Sequence, residues 1–107
     1  MKPAITVLVC NSDENTLKEV LAGIEEEGVN FEVVADEEYD IGILAEKASK
    51  RSKLEVGIAI IEKKICVHVR NLPQGKYLFQ IDLDKFARVT GCNAARYVKG
   101  TPFTQLV

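Results

Sequence analysis

Close to the start of the chain, Ile5-Thr6-Val7-Leu8-Val9-Cys10 forms an almost unbroken apolar run. A strand with one wet face alternates apolar and polar residues. A run without that alternation fits a strand covered on both faces. The run therefore predicts a central strand with other layers above and below it, and the segments that follow supply candidates. Asn11, Ser12 and Asp13 offer turn and N-cap oxygens, and Asp13 and Glu14 put negative charge where a helix start favours it. Leu17, Val20, Leu21 and Ile24 then recur at i, i+3, i+4 and i+7, predicting a helix over 13–27 with Gly28 as C-cap.

The same alternation of periods continues. Val29, Phe31 and Val33 predict a second strand over 29–34, and an acidic connection over 35–40 follows. Ile41, Leu44, Ala45 and Ala48 mark a second amphipathic helix ending near Lys53, with Lys50, Arg51 and Lys53 suited to its carbonyl end. Residues 55–61 are dense enough in Val and Ile for an internal strand. After a Glu62-Lys63-Lys64 turn, Ile65, Val67 and Val69 predict a returning strand with His68 on its other face. Asn71-Leu72-Pro73-Gln74-Gly75 reads as a turn, and Tyr77, Phe79 and Ile81 as a short last strand. Residues 82–89 suit a helical turn or more. Thr90 is a candidate cap for a helix reaching Tyr97 or Lys99, stopped by Gly100 and Pro102. Strand–helix–strand connections imply an α/β layer fold. With 107 residues there is room for one such domain, expected as three layers with a mixed, mostly parallel sheet of four or five strands flanked by helices.

Several function classes fit poorly. No stretch approaches 18 apolar residues, so no membrane span is expected, and the first apolar run is followed by no small-residue cleavage site. Three widely spaced cysteines, Cys10, Cys66 and Cys92, suggest a reducing compartment rather than a disulfide framework. Basic residues are scattered without interleaved aromatics, which disfavours nucleic acid. No glycine-rich phosphate loop follows the first strand. His68, the only histidine, reads as a structural strand residue, and Cys66-x-His68 alone does not make a zinc site. Cys92 reads as an ordinary helical residue or, less simply, as a thiol activated by a helix start. Charge is uneven along the chain. Residues 1–40 hold 11 acidic and 2 basic side chains, a net of −9, and residues 41–107 hold 5 and 12, a net of +7. That polarity could steer a protein partner, or it could be no more than charged helix surface.

Two clusters stand out. Glu25-Glu26-Glu27 falls in the last turn of the first helix, where the macrodipole disfavours negative charge. At about 100° per residue Glu26 lies about 200° from Ile24 and points to solvent or a partner, while Glu27 lies about 60° from the apolar stripe. Solvated charge and a carboxylate contributed to a shared hard-cation site both remain open for Glu26. In Asn93 to Phe103, Arg96 and Tyr97 suit interface anchors. The segment equally suits a terminal helix closing the domain, with Phe103 folded back over it.

These residues carry a resemblance. Glu19-Val20-Leu21-Ala22-Gly23-Ile24-Glu25-Glu26-Glu27-Gly28, Val56-Gly57-Ile58-Ala59, Asn71-Leu72-Pro73, Leu78-Phe79 and the run from Thr90 to Phe103 resemble, in order, the small subunit of glycerol and diol dehydratase reactivating factors. The likeness spans about 4–103. It implies an anticodon-binding-domain-like fold related to the medium subunit of the B12-dependent dehydratases, and a non-catalytic, chaperone-like role. The implied partners are a large ATPase-like subunit, in an α2β2 complex, and a client dehydratase. The small subunit would exchange with a dehydratase subunit so that damaged adenosylcobalamin leaves. ATP belongs to the large subunit, and the implied location is cytoplasmic, with or without a bacterial microcompartment. The central glutamate of the triplet, here Glu26, is implied as a ligand of magnesium at the large–small interface. Glu25, Glu27, Arg96 and Tyr97 are expected as interface residues from their own chemistry, the resemblance giving Arg96 and Tyr97 no firm contact role. Two features depart: Cys92 stands where relatives can carry asparagine, and the acidic loop 36–40 has no match. A dehydratase medium subunit, or a generic α/β interaction module, are the alternative readings.

Overall fold

The computed structural model describes residues 2–73, 75–82 and 84–104. Gln74, within the expected turn, and Leu83, within the expected 82–89 helical segment, lie outside them. Strands β1 (Ile5–Ser12), β2 (Phe31–Ala35), β3 (Val56–Glu62), β4 (Lys64–Val69) and β5 (Phe79–Ile81) form one sheet in the order β2-β1-β3-β4-β5. Helices α1 (Glu14–Glu26), α2 (Ile41–Arg51) and α3 (Ala87–Lys99) cover it, α3 being entered through a short 3-10 turn, Asp84–Phe86. β1 runs parallel to both β2 and β3; β4 is antiparallel to β3 and to β5. Four strands thus share a direction and β4 alone opposes them.

The apolar run that predicted a central strand occupies that place, with Val7 opposite both Val33 and Ile58. Its pleat feeds two cores. Ile5 and Val7 join Ile58, Ile60, Ile65 and Val67 beneath Val20 and Ile24 of α1 and Ala87, Ala94 and Ala95 of α3. Leu8 points the other way and joins Ala59, Ile61 and Cys66 under Leu44, Ala45 and Ala48 of α2. The result is the expected three-layer sandwich, with two helices on one face and one on the other. No described helix is long and apolar enough to cross a membrane.

Helix ends follow local chemistry. Asp13 caps α1 by accepting from Thr16 N at 3.0 Å and Thr16 Oγ1 at 2.9 Å, and Asp40 caps α2 by accepting from Ile43 N at 3.1 Å. Gly100, left-handed at φ 70°, ends α3 as expected. Thr90 does not cap. α3 begins three residues earlier, and the Thr90 hydroxyl donates back to the Phe86 carbonyl at 2.7 Å, the alternative use of a mid-helix threonine. The hairpin turn is also tighter than expected. Lys64 already pairs with Ile61, and Glu62 takes φ 54°, so that Glu62 and Lys63 make the turn.

Where α1 crosses α3, the backbones nearly touch. A Cβ on Gly23 would overlap the Arg88 carbonyl oxygen, and one on Gly91 would overlap the Val20 carbonyl oxygen. The two glycines allow the helices to approach more closely than any side chain would permit. Gly23→Ala is therefore expected to lower stability by about 2 kcal/mol, in the range of overpacked cores, when measured by urea denaturation. A loss within experimental error would show that the crossing can open without penalty.

Candidate functional site

The crossing brings two charged stripes together. On α1, Glu19, Glu26 and Glu27 flank Gly23; on α3, Arg88, Cys92, Arg96 and Lys99 recur at helical spacing. Glu27, the C-cap of α1, keeps only 12% of its side chain exposed. It accepts from Lys99 Nζ at 2.9 Å, from Arg96 Nε at 3.2 Å and from Cys92 Sγ at 3.3 Å, and Lys99 also reaches the Glu27 carbonyl at 3.0 Å. Lys99 first, then the Cys92 thiol and Arg96, hold the Glu27 carboxyl below its ordinary range despite partial desolvation. Lys99 thereby supplies positive charge at the carbonyl end of α1, which the sequence of that helix lacks.

Glu26 behaves differently. Half of its side chain is exposed, and its Oε1 accepts from Arg88 Nη1 at 3.2 Å. Cys92 Sγ lies 3.9 Å from its other oxygen. Arg88 also donates through Nη2 to Glu19 at 2.8 Å, so one guanidinium spans both carboxylates. Glu25 is exposed on the same turn. The outward direction read for Glu26 and the inward one read for Glu27 both match these positions.

The α3 side of the site is divided between closing the domain and facing outward. Arg96 turns inward, donating to Glu27 and, through Nη1, to the Pro102 carbonyl at 3.0 Å. Buried Asn93 clasps the Thr104 backbone, donating to its carbonyl at 2.9 Å and accepting from its N–H at 2.7 Å. Phe103 then packs edge-on against Phe79, ring centroids 5.1 Å apart. Tyr97 stays 37% exposed. Phe103 does fold back over the domain, and Arg96 serves that closure. Arg88 is the residue that sequence reasoning missed. Its signal was present as the i, i+4, i+8 and i+11 series 88, 92, 96 and 99 on α3, facing the acidic series on α1.

Three other reactive side chains, Cys92, Cys66 and His68, are buried. Burial raises the Cys92 thiol, with Glu27 and Glu26 adding to the shift, so the helical position does not activate it. Burial, with Glu46 and Asp40 nearby, pushes Cys66 up to about 12. His68 is buried between α2 and β4. Ser49 Oγ donates to the Glu46 carbonyl at 2.8 Å and so accepts from His68 Nδ1 at 2.8 Å, leaving Nε2 without a partner among the described residues. Burial holds this imidazole below its usual pKa, against the pull of Glu46. No three His, Cys, Asp or Glu side chains among the described residues cluster as a metal site. Glu26 is a hard oxygen donor on an exposed helix end, the donor type hard cations take, and one carboxylate is too few to hold such an ion alone.

Comparison with known proteins gives the site its setting. The dehydratase medium subunit family matches residues 2–104. The propanediol dehydratase-reactivating factor small subunit of Salmonella typhimurium strain LT2 is 42% identical, over 97% of this chain and 92% of its own length. This chain belongs to the dehydratase medium subunit family, among the reactivating-factor small subunits. The diol dehydratase-reactivating factor small subunit of Klebsiella michiganensis is 41% identical, over 97% of this chain and 86% of its own. Among solved structures, a chain of a diol dehydratase-reactivating factor complexed with ADP and Mg2+ superposes with a TM-score of 0.90 at 38% identity, covering 98% of this chain and 100% of that one. A glycerol dehydratase reactivase chain gives 0.91 at 26%, covering 99% and 100%.

The depressed Glu27 carboxyl sets a pH dependence. A carboxylate with a lowered folded-state pKa adds stability that is present above its unfolded value, about 4.3, and is lost as pH falls through the folded one. Glu27→Gln should lower the urea midpoint at pH 7, and wild type and variant should converge below about pH 4. A difference that persists unchanged into acid would exclude the ion cluster as its source.

Proposed function

We propose that the chain acts as the exchangeable, non-catalytic partner of a large ATPase-like subunit, in a factor that opens an inactivated glycerol or diol dehydratase. The observation that carries this reading is a double likeness: the chain matches the dehydratase medium subunit family over 2–104 and reactivating-factor small subunits over nearly their whole length. A domain shaped like a medium subunit can occupy that subunit's place in the enzyme. Damaged adenosylcobalamin can then leave, and fresh cofactor can enter when the exchange reverses. In this reading ATP binding and hydrolysis belong to the large subunit, and the factor assembles with two copies of each chain in the cytoplasm, with or without a microcompartment.

Magnesium belongs to the same proposal. A chain in the solved diol dehydratase-reactivating factor with ADP and Mg2+ is this domain's structural neighbour. Here Glu26 stands half exposed at the end of α1, available as one oxygen ligand to an ion held mostly by the large subunit. Glu25 and Tyr97 are exposed close by in sequence to the two helix ends, and suit contacts around the ion. Arg96 and Glu27 support that surface from within.

Co-expression with the large subunit should give a stable complex that restores a glycerol-inactivated dehydratase when ATP, magnesium and adenosylcobalamin are supplied. Stable assembly with dehydratase subunits into a diol-converting enzyme, and none with the ATPase, would replace this reading with that of a medium subunit. Within the complex, Glu26→Gln should raise the magnesium needed for assembly by about tenfold or more, the scale of losing a charged metal contact, and Glu25→Gln should change it little. Equal effects of the two would remove Glu26 as the ligand.

A further inference from the structure

Resting on the reading of Glu26 as a magnesium ligand, we infer that Arg88 is its built-in counter-ion, occupying the carboxylate in the free subunit and yielding it to the divalent cation on assembly. The geometry carries this. Glu26 Oε1 is held by Arg88 Nη1 at 3.2 Å, so the carboxylate that faces outward already has an internal cation. The same guanidinium has its shorter contact elsewhere, Nη2 to Glu19 at 2.8 Å. Arg88 can therefore release Glu26 and remain docked on α1.

Two further features suit an exchange. The Arg88 backbone is fixed where it passes Gly23, so only the side chain needs to move. Both members of the pair are half exposed, 50% for Glu26 and 52% for Arg88, and such pairs are weak. A doubly charged ion with a small radius competes well against one arm of a guanidinium, while a monovalent ion competes poorly. Arg88 then does two things. It neutralises Glu26 beside the carbonyl end of α1, where an unpaired carboxylate is disfavoured. It also sets the magnesium concentration at which the site forms, because a bound dication must displace one arm of Arg88 and then tolerate its positive charge nearby.

The test uses this chain with its large subunit, following assembly by sedimentation velocity as magnesium is titrated. Arg88→Met and Arg88→Gln, two neutral replacements checked for folding by circular dichroism, should lower the half-saturating magnesium concentration by about two- to fivefold. Arg88→Lys, which keeps the charge, should stay closer to wild type. A role limited to holding α1 on α3 would weaken assembly at every magnesium concentration without lowering the midpoint. The reading of Glu26 is scored separately by Glu26→Gln. If that variant raises the magnesium requirement as expected but the neutral Arg88 variants leave the midpoint unchanged or raise it, the counter-ion role is wrong and the ligand stands. If Glu26→Gln leaves the dependence intact, both fail.

Discussion

The contact between α1 and α3 at Gly23 and Gly91 is the constraint on which the rest of the molecule depends. Two backbones in near contact leave no room for adjustment, so the helices cross at one place and in one register. That register decides which carboxylates meet which cations. It puts Arg88 between Glu19 and Glu26, and Glu27 among Cys92, Arg96 and Lys99. It also presses Val20, Ile24, Ala94 and Ala95 onto the larger of the two cores. Close approach and apolar burial supply the stability here; the exposed ion pairs contribute mostly orientation.

A run of three glutamates at a helix C-terminus is a local conflict with the macrodipole, and the tertiary structure resolves it unequally. Glu27 is neutralised from within, by Lys99 and Arg96, and becomes part of the domain's closure. Glu26 makes one ion pair among the described residues, at a half-exposed position, and keeps its outward face. Neighbouring residues of the same type thus have different fates because one helical step of about 100° separates the core boundary from solvent. The function proposed for the small subunit draws on this inequality.

Much of the architecture was legible from periodicity. The unbroken run at β1, the stripe Leu17-Val20-Leu21-Ile24 and the dense β3 segment each have one physical solution, a covered strand or a one-sided helix. The three-layer sandwich follows from their order. What was less legible depended on long-range geometry or on a choice between two local uses of one side chain. Thr90 can cap a helix or bond back to a carbonyl, and its own neighbours do not decide between them. The outward Glu26 and inward Glu27 were readable from helical angles alone. Their partners were not, because Arg88 lies more than sixty residues away and reaches Glu26 only through the glycine crossing. The acidic loop was unassigned from sequence, and its visible role is local: Asp36 pairs with Lys47 at 2.8 Å and Asp40 starts α2.

The placement of β1 has a consequence for how the domain comes into being. β1, which precedes its neighbours along the chain, is hydrogen-bonded on one side to residues 31–35 and on the other to residues 57–62. α1 lies on the sheet beside β1 and β3, and the face that carries Gly23 meets its partner only in residues 87–99. Each early element therefore waits for a late one, and contacts so distant along the chain are slow to form because long loops must close first. During synthesis the side of α1 around Gly23 stays open until nearly the whole domain is available. A truncation before α3 would leave one face of the sheet under α2 and the other only partly covered, by α1, so the two cores belong to a single folding unit.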